Sequence, residues 1–162
     1  MAGAVYFDSP LGVLEITGSE RGVSSVAFVA ARPAGKSAPA DGAAEPLIAC
    51  RRQIDEYFRG LRTAFDLPLD LGGTPFQLEV WRRLRLVPFG ATTTYGAIAA
   101  AMKRPGAARA VGGANHRNPI SIIIPCHRVV GGGGSLVGYG GGLWRKERLL
   151  DHERSVLSQL EK

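Results

Sequence analysis

TTTYGAIAAAMKRPGAARAVGGANHRNP, residues 92–119, is the stretch that decides the fold. Thr94 is placed to cap a helix carrying Ile98, Ala99 and Met102, and Arg104-Pro105-Gly106 is a turn. Residues 107–114 then form a second helix. Two short helices across a tight turn have the length and punctuation of a helix-turn-helix. The second helix has an odd composition for a reader of base edges in the major groove. Apart from Arg109 it offers almost no side chain for a bidentate contact, while its Ala and Gly residues let a backbone approach another surface closely. That composition suits a narrow groove, and it equally suits a tightly packed internal helix with one surface Arg.

Upstream, Thr74 followed by Pro75 reads as a helix start, with Phe76, Val80, Trp81 and Leu84 as the apolar face until Pro88 ends it. Before Gly72-Gly73 the character is different. From Val5 to Val29 the pattern is extended and broken at Ser9-Pro10 and at Gly18 to Gly22, which predicts two or three short antiparallel strands. Residues 31–46, rich in Ala, Pro and Gly, read as an exposed loop. In LIACRRQIDEYFRGLR (47–62), Leu47, Cys50, Ile54, Tyr57, Phe58 and Leu61 fall at helical spacing, and this helix should cover the sheet. Cys50 on that stripe reads as a small buried hydrophobe. The fold class expected is therefore α+β: a small N-terminal antiparallel sheet with a covering helix over residues 1–72, then a mostly helical winged helix-turn-helix domain over 73–162.

The 162 residues are 45% hydrophobic and 21% charged, a globular balance that excludes disorder over most of the length. No apolar run is long enough to cross a bilayer, and MAGAVYFDSPLG lacks the basic start and apolar centre of a secretory signal, so a cytoplasmic protein is expected. Its two cysteines make no disulfide framework and should stay as thiols. A net charge of +6 and a pI near 9.8 suggest a polyanionic partner.

Cys126 stands in IIIPCHRVVGGGG (122–134), after an aliphatic run and a proline and before His127 and Arg128. A thiol becomes a strong nucleophile only as thiolate, and a neighbouring base or positive charge favours that form. Adjacent residues need not face each other, so the Cys-His pair alone also fits a structural role. Gly131 to Gly134 lack the Gly-Lys-Ser/Thr ending of a phosphate loop and read as a flexible wing touching the DNA backbone. The histidines are His116, His127 and His152, all in the C-terminal part, so no zinc ligand set is evident in the N-terminal part and no metal is expected; His116 and His152 read as surface or packing residues.

PCHRV (125–129), led by RAVGGANHRNPISIII (109–124) and followed by VGYGGGLWRKERLLDHE (137–153), resembles the active-site region of the O6-alkylguanine-DNA alkyltransferases. TPFQLEVWRRLRLVPFGATTTYGAIA (74–99) resembles the same family, so the likeness is nearly continuous from 74 to 153, and the N-terminal part resembles it only loosely. The resemblance implies a ribonuclease H-like N-terminal domain and a winged helix-turn-helix that enters the DNA minor groove. It also implies base flipping, followed by irreversible, stoichiometric transfer of the alkyl group from O6-alkylguanine to a cysteine with no dissociable cofactor.

By that resemblance Cys126 is the nucleophile, His127 the base acting through a bound water, and Glu153 the carboxylate that orients the imidazole. Tyr139 assists near guanine N3, and Asn118 holds the loop by backbone hydrogen bonds. Arg109 fills the gap left by the extruded nucleotide, and Tyr95 crowds the adjacent phosphate. Thr94, Ala107, Ala110, Gly112, Gly113, Asn115, Arg128 and Ser135 complete the expected DNA contacts, and Pro125, Val129, Gly140 and Gly141 the base pocket. Gly140 stands where some members carry serine, which leaves alkyl preference open, as is O4-alkylthymine repair; Ala91 stands where an acidic residue is frequent. The expected partner is duplex DNA containing O6-alkylguanine, bound by a monomer that loads cooperatively or singly, with no membrane. Two rivals are a non-catalytic DNA-binding module, which Cys126 argues against, and a cysteine hydrolase or redox enzyme, which lacks a CxxC and leaves the helix-turn-helix unexplained.

Overall fold

Turns at glycine set up the first element of structure. Gly12 (φ +128) and Gly22 (φ +151) open the second and third strands of an antiparallel meander, β1 (Gly3–Ser9), β2 (Gly12–Ser19) and β3 (Gly22–Val29), in spatial order β1-β2-β3. The register pairs Val5 with Ile16, Phe7 with Leu14 and Ile16 with Val26, which gathers the apolar side chains on one face. Helix α1 (Glu45–Phe58) packs on β1, β2 and β3, burying Leu47, Cys50, Ile54 and Tyr57. The computed structural model describes residues 3–33 and 42–161, and the chain divides into two compact units, Met1–Gly72 and Gly73–Lys162.

Two expectations for this unit are corrected. The covering helix begins at Glu45, inside the predicted loop, and stops at Phe58. Gly60, at φ +74, turns the chain, so Leu61 lies beyond the apolar stripe and is 73% exposed. Residues 34–41 of the predicted loop lie outside the described residues.

In the second unit α2 (Pro75–Leu84) starts where Thr74-Pro75 predicts, and Val80, Trp81 and Leu84 are buried. The cap is reciprocal. Gln77 N–H donates to Thr74 Oγ1 at 3.1 Å, and Thr74 N–H donates to Gln77 Oε1 at 3.0 Å. Next come β4 (Thr93–Thr94), α3 (Tyr95–Ala101), capped by Thr94, and α4 (Ala108–His116). The Trp81 indole N–H donates to the Ala114 carbonyl at 2.9 Å, locking α2 to the end of α4. β5 (Val129–Val130) pairs in parallel with β4, so the chain just after Cys126 runs beside the start of α3. The chain closes on α5 (Leu143–Leu160), whose buried Lys146, Leu149, Leu150, Glu153 and Val156 follow helical spacing.

Replacing Thr74 by Ala removes the half of the cap in which the Thr74 hydroxyl accepts from Gln77 N–H, and leaves the half donated by the backbone N–H of residue 74. We expect a loss of about 1 kcal/mol in urea unfolding, with an unchanged m-value.

Candidate active site

Cys126 follows a loop held in an unusual conformation. Ile122 is fully buried with φ +74, a left-handed backbone that a β-branched residue adopts only when its surroundings impose it. Asn118 imposes it. Its Nδ2 donates to the Ile124 carbonyl at 2.7 Å and its Oδ1 accepts from Ile120 N–H at 2.9 Å, bracketing Ile122 from both sides. Cys126 N–H then donates to the Ile124 carbonyl at 2.8 Å as the chain enters a single 3-10 turn, Cys126–Arg128. All three side chains of that turn are buried.

Glu153 meets this turn from α5. Its Oε2 lies 2.7 Å from His127 Nε2 and accepts from Arg128 Nη2 at 3.0 Å; its Oε1 accepts from Arg128 Nε at 2.9 Å and from Gly90 N–H at 3.0 Å. Burial alone would raise the carboxyl's pKa, but the hydrogen bonds and charges of His127 and Arg128 outweigh it and hold the group well below the usual carboxylate range. Glu153 is thus an acceptor only, which assigns the proton of a neutral imidazole to Nε2 and leaves Nδ1 as its basic lone pair. Burial lowers the His127 pKa against the pull of Glu153, so the ring rests neutral.

The thiol rests protonated. Burial pushes the Cys126 pKa up, eased by Asn118, by the charge of Lys146 and by backbone N–H groups. Lys146 is a buried lysine on α5 whose Nζ donates to the Val137 carbonyl at 2.6 Å and the Gly138 carbonyl at 3.2 Å; burial lowers its pKa against the pull of Cys126, and the sequence reading missed it. Its signal was a lysine at a position where the helical stripe of Leu149, Leu150 and Val156 calls for an apolar residue. Among the described residues, the buried side-chain polar atoms without a hydrogen-bond partner are Asn115 Oδ1, His127 Nδ1 and the Tyr139 hydroxyl. Each belongs to a residue tied to Cys126: Asn115 Nδ2 lies 3.5 Å from its carbonyl, His127 is its neighbour, and its negative form adds to the rise that burial imposes on the Tyr139 phenol. Ser121 tempers the Tyr139 shift without reaching hydrogen-bond geometry.

The expected DNA contacts divide. Arg109, Ala110 and Gly113 are exposed on α4, Ser135 is exposed in the wing, and Ala107, Gly112, Thr94 and Tyr95 are partly exposed. Two expectations are corrected. Arg128 is 6% exposed, and its guanidinium is engaged by Glu153, by the Val87 carbonyl at 2.8 Å and by the Phe89 ring, so it faces inward. Asn115 is 5% exposed and also faces inward. Of the expected base-pocket residues, Gly140 is exposed, Gly141 partly so and Pro125 buried, while Val129 is 0% exposed and its side chain presents no surface to a ligand. Among the described residues no group of three or more His, Cys, Asp or Glu is placed to hold a metal, and no helix is long and apolar enough to cross a membrane.

Residues 75–155 match the "6-O-methylguanine DNA methyltransferase, DNA binding domain" and residues 4–71 its "ribonuclease-like domain". A methylated-DNA--protein-cysteine methyltransferase of Mycolicibacterium paratuberculosis is 44% identical over 147 residues, 91% of this chain and 89% of the relative. The protein of that name from Mycobacterium leprae is 57% identical over 109 residues, 67% of this chain and 66% of the relative. The crystal structure of Mycobacterium tuberculosis OGT in complex with DNA superposes with a TM-score of 0.83 at 44% identity, covering 93% of this chain and 92% of that one.

The charge pattern fixes how stability responds to acid. Glu153, with its pKa depressed on folding, contributes stability that is complete above about pH 4.5 and is lost as pH falls through the folded value. His127, also depressed, takes a proton more readily in the unfolded chain, so stability already falls as pH drops below 6.5. Urea unfolding from about pH 8 to about pH 3 should show both limbs, with His127→Gln abolishing the upper one. A wild-type profile flat between about pH 6.5 and about pH 5 would contradict a buried neutral imidazole.

Proposed function

We propose a route of alkyl transfer from one premise: this chain belongs to the 6-O-methylguanine DNA methyltransferase family. The protein repairs DNA by moving an alkyl group from the base to its own cysteine. The observation that carries the assignment of roles is the buried Glu153 carboxylate 2.7 Å from Nε2 of His127, the residue that follows Cys126 in the same buried turn.

Duplex DNA is bound along the exposed face of α4, with Arg109 entering the minor groove and Tyr95 beside the phosphate of the lesion. The O6-alkylguanine leaves the stack, because its O6 is otherwise enclosed in the base pair. His127 Nδ1, the lone pair left free when Glu153 claims Nε2–H, accepts the thiol proton through a bound water. The Cys126 sulfur then attacks the alkyl carbon. An S–C bond forms, the C–O6 bond breaks, and its electrons pass to the purine, where the Tyr139 hydroxyl relieves the developing charge near N3. Lys146 supplies a buried positive charge that favours the thiolate once the proton has gone. In balance the purine exchanges its alkyl group for the thiol's hydrogen.

A thioether is not reversed by protein chemistry, so each molecule reacts once. The protein acts as a monomer in the cytoplasm and needs no cofactor. A lesion sensor of the same architecture has no use for the acceptor thiol, and Cys126 is in place.

Peptide mass spectrometry after incubation with a duplex carrying one O6-methylguanine should show a single methyl increment confined to the Cys126 peptide. It should saturate at one per protein and be absent from Cys126→Ala. Tight lesion binding without any increment would leave only the sensor. Cys126 is 6% exposed in close-packed surroundings, so the added methyl group overpacks them. The methylated protein should therefore melt several degrees below the free one, and equal melting temperatures would show that the site absorbs the group without strain.

A further inference from the structure

Among the described residues two that are not glycine take a left-handed backbone: Ile122, and Lys103 (φ +60) in the turn between α3 and α4. Lys103 is exposed, so packing does not impose its conformation. The end of α3 does. Lys103 N–H donates to the Ala100 carbonyl and Arg104 N–H to the Ala99 carbonyl, both at 2.9 Å, which is a Schellman ending with Lys103 at the place that glycine usually takes. Helix α1 ends in the same pattern, Gly60 N–H to the Tyr57 carbonyl and Leu61 N–H to the Glu56 carbonyl, and there the left-handed residue is a glycine (φ +74). A Cβ in this conformation crowds the following carbonyl, so the lysine weakens the turn that it occupies. What it supplies instead is charge. Among the described residues its side chain has no hydrogen bond or ion pair, and between Glu79 and Glu147 the chain carries no acidic residue at all. The rest of the turn is fixed. The Arg104 guanidinium lies 5.8 Å from the centre of the Phe76 ring of α2, and the Arg104 carbonyl accepts from Ala107 N–H at 2.9 Å. A rigid turn therefore holds an uncompensated ammonium in solvent at the junction of the two helices.

We infer that Lys103 contacts a phosphate of the duplex backbone, and that the strained turn is kept because it places a cation there. The inference rests on the reading of α3 and α4 as a DNA-binding unit, and it adds a contact outside the acceptor site and off the exposed face of α4. Such a contact holds the duplex in place and reads no sequence.

The test reads two quantities for each variant: affinity for an unmodified duplex by fluorescence anisotropy across a salt series, and the melting temperature of the protein alone. Lys103→Gly removes the cation and the strain together. It should bind the duplex about threefold or more weaker at low salt, with the slope of log K against log salt reduced by about one. It should also melt about 2 °C or more above wild type, a gain in stability alongside a loss of binding that no packing defect produces. Lys103→Gln keeps the strained backbone and should show the weaker binding without the higher melting temperature, while Lys103→Arg should bind as wild type does. Arg21→Gln removes the same charge from the exposed turn between β2 and β3 and should leave the slope unchanged. An equal fall in slope for Arg21→Gln would assign the effect to net charge and overturn the inference. So would a wild-type slope for Lys103→Gly, or a Lys103→Gly protein that melts below wild type. Wild-type protein without salt-dependent affinity for the duplex would sink the DNA-binding reading itself.

Discussion

The Glu153 carboxylate is the point on which the second unit depends. It joins two places in the chain that sequence keeps far apart: the backbone of Gly90, and the adjacent side chains of His127 and Arg128. Arg128 extends the network to the Val87 carbonyl, so residues 87–90 are tied to α5 and to the 3-10 turn at once. Gly90 takes φ +81, a left-handed backbone that favours glycine, and a Cβ there would also press on the Leu157 side chain. A buried ion pair of this kind adds little net stability over an apolar replacement. Breaking it by removing one partner costs about 3–5 kcal/mol, so the gain is in a single arrangement of the turn.

That arrangement keeps the reacting pair uncharged at rest. Charge sits on Glu153, Arg128 and Lys146, each held by hydrogen bonds, while the imidazole and the thiol between them are neutral. The surroundings are thus set in advance for the negative charge that appears when the thiol loses its proton, and little has to reorient at that moment.

Much of this was legible in the sequence, and its limits are physical. Thr74-Pro75 and Thr94 announce helix starts because a cap is a local interaction, decided within three residues. The second half of the first cap, Gln77, stood at the right spacing and was passed over. Leu61 was read on the apolar stripe because periodicity does not register that Gly60 ends the helix. Helix α5 carries its periodicity openly, yet its stripe includes a lysine and a glutamate, and a polar residue at a core position hides the pattern. Arg128 and Asn115 were expected to face DNA because the resemblance to the family was carried onto those positions. Their inward direction follows from a 3-10 turn and a helix rotation set by tertiary packing. The left-handed backbone of Ile122 had no local sign at all, since isoleucine is among the residues least suited to it.

Burial of the two thiols has a consequence for life amid reactive chemicals. Electrophiles that alkylate guanine in DNA also attack free thiolates in solution. Cys50 is 0% exposed with its pKa pushed up to about 12, and Cys126 is 6% exposed and protonated at rest. Neither offers a thiolate to a small molecule drifting past. The protein is therefore protected from poisoning by the agents whose damage it removes, and its one reaction is reserved for a lesion carried on DNA.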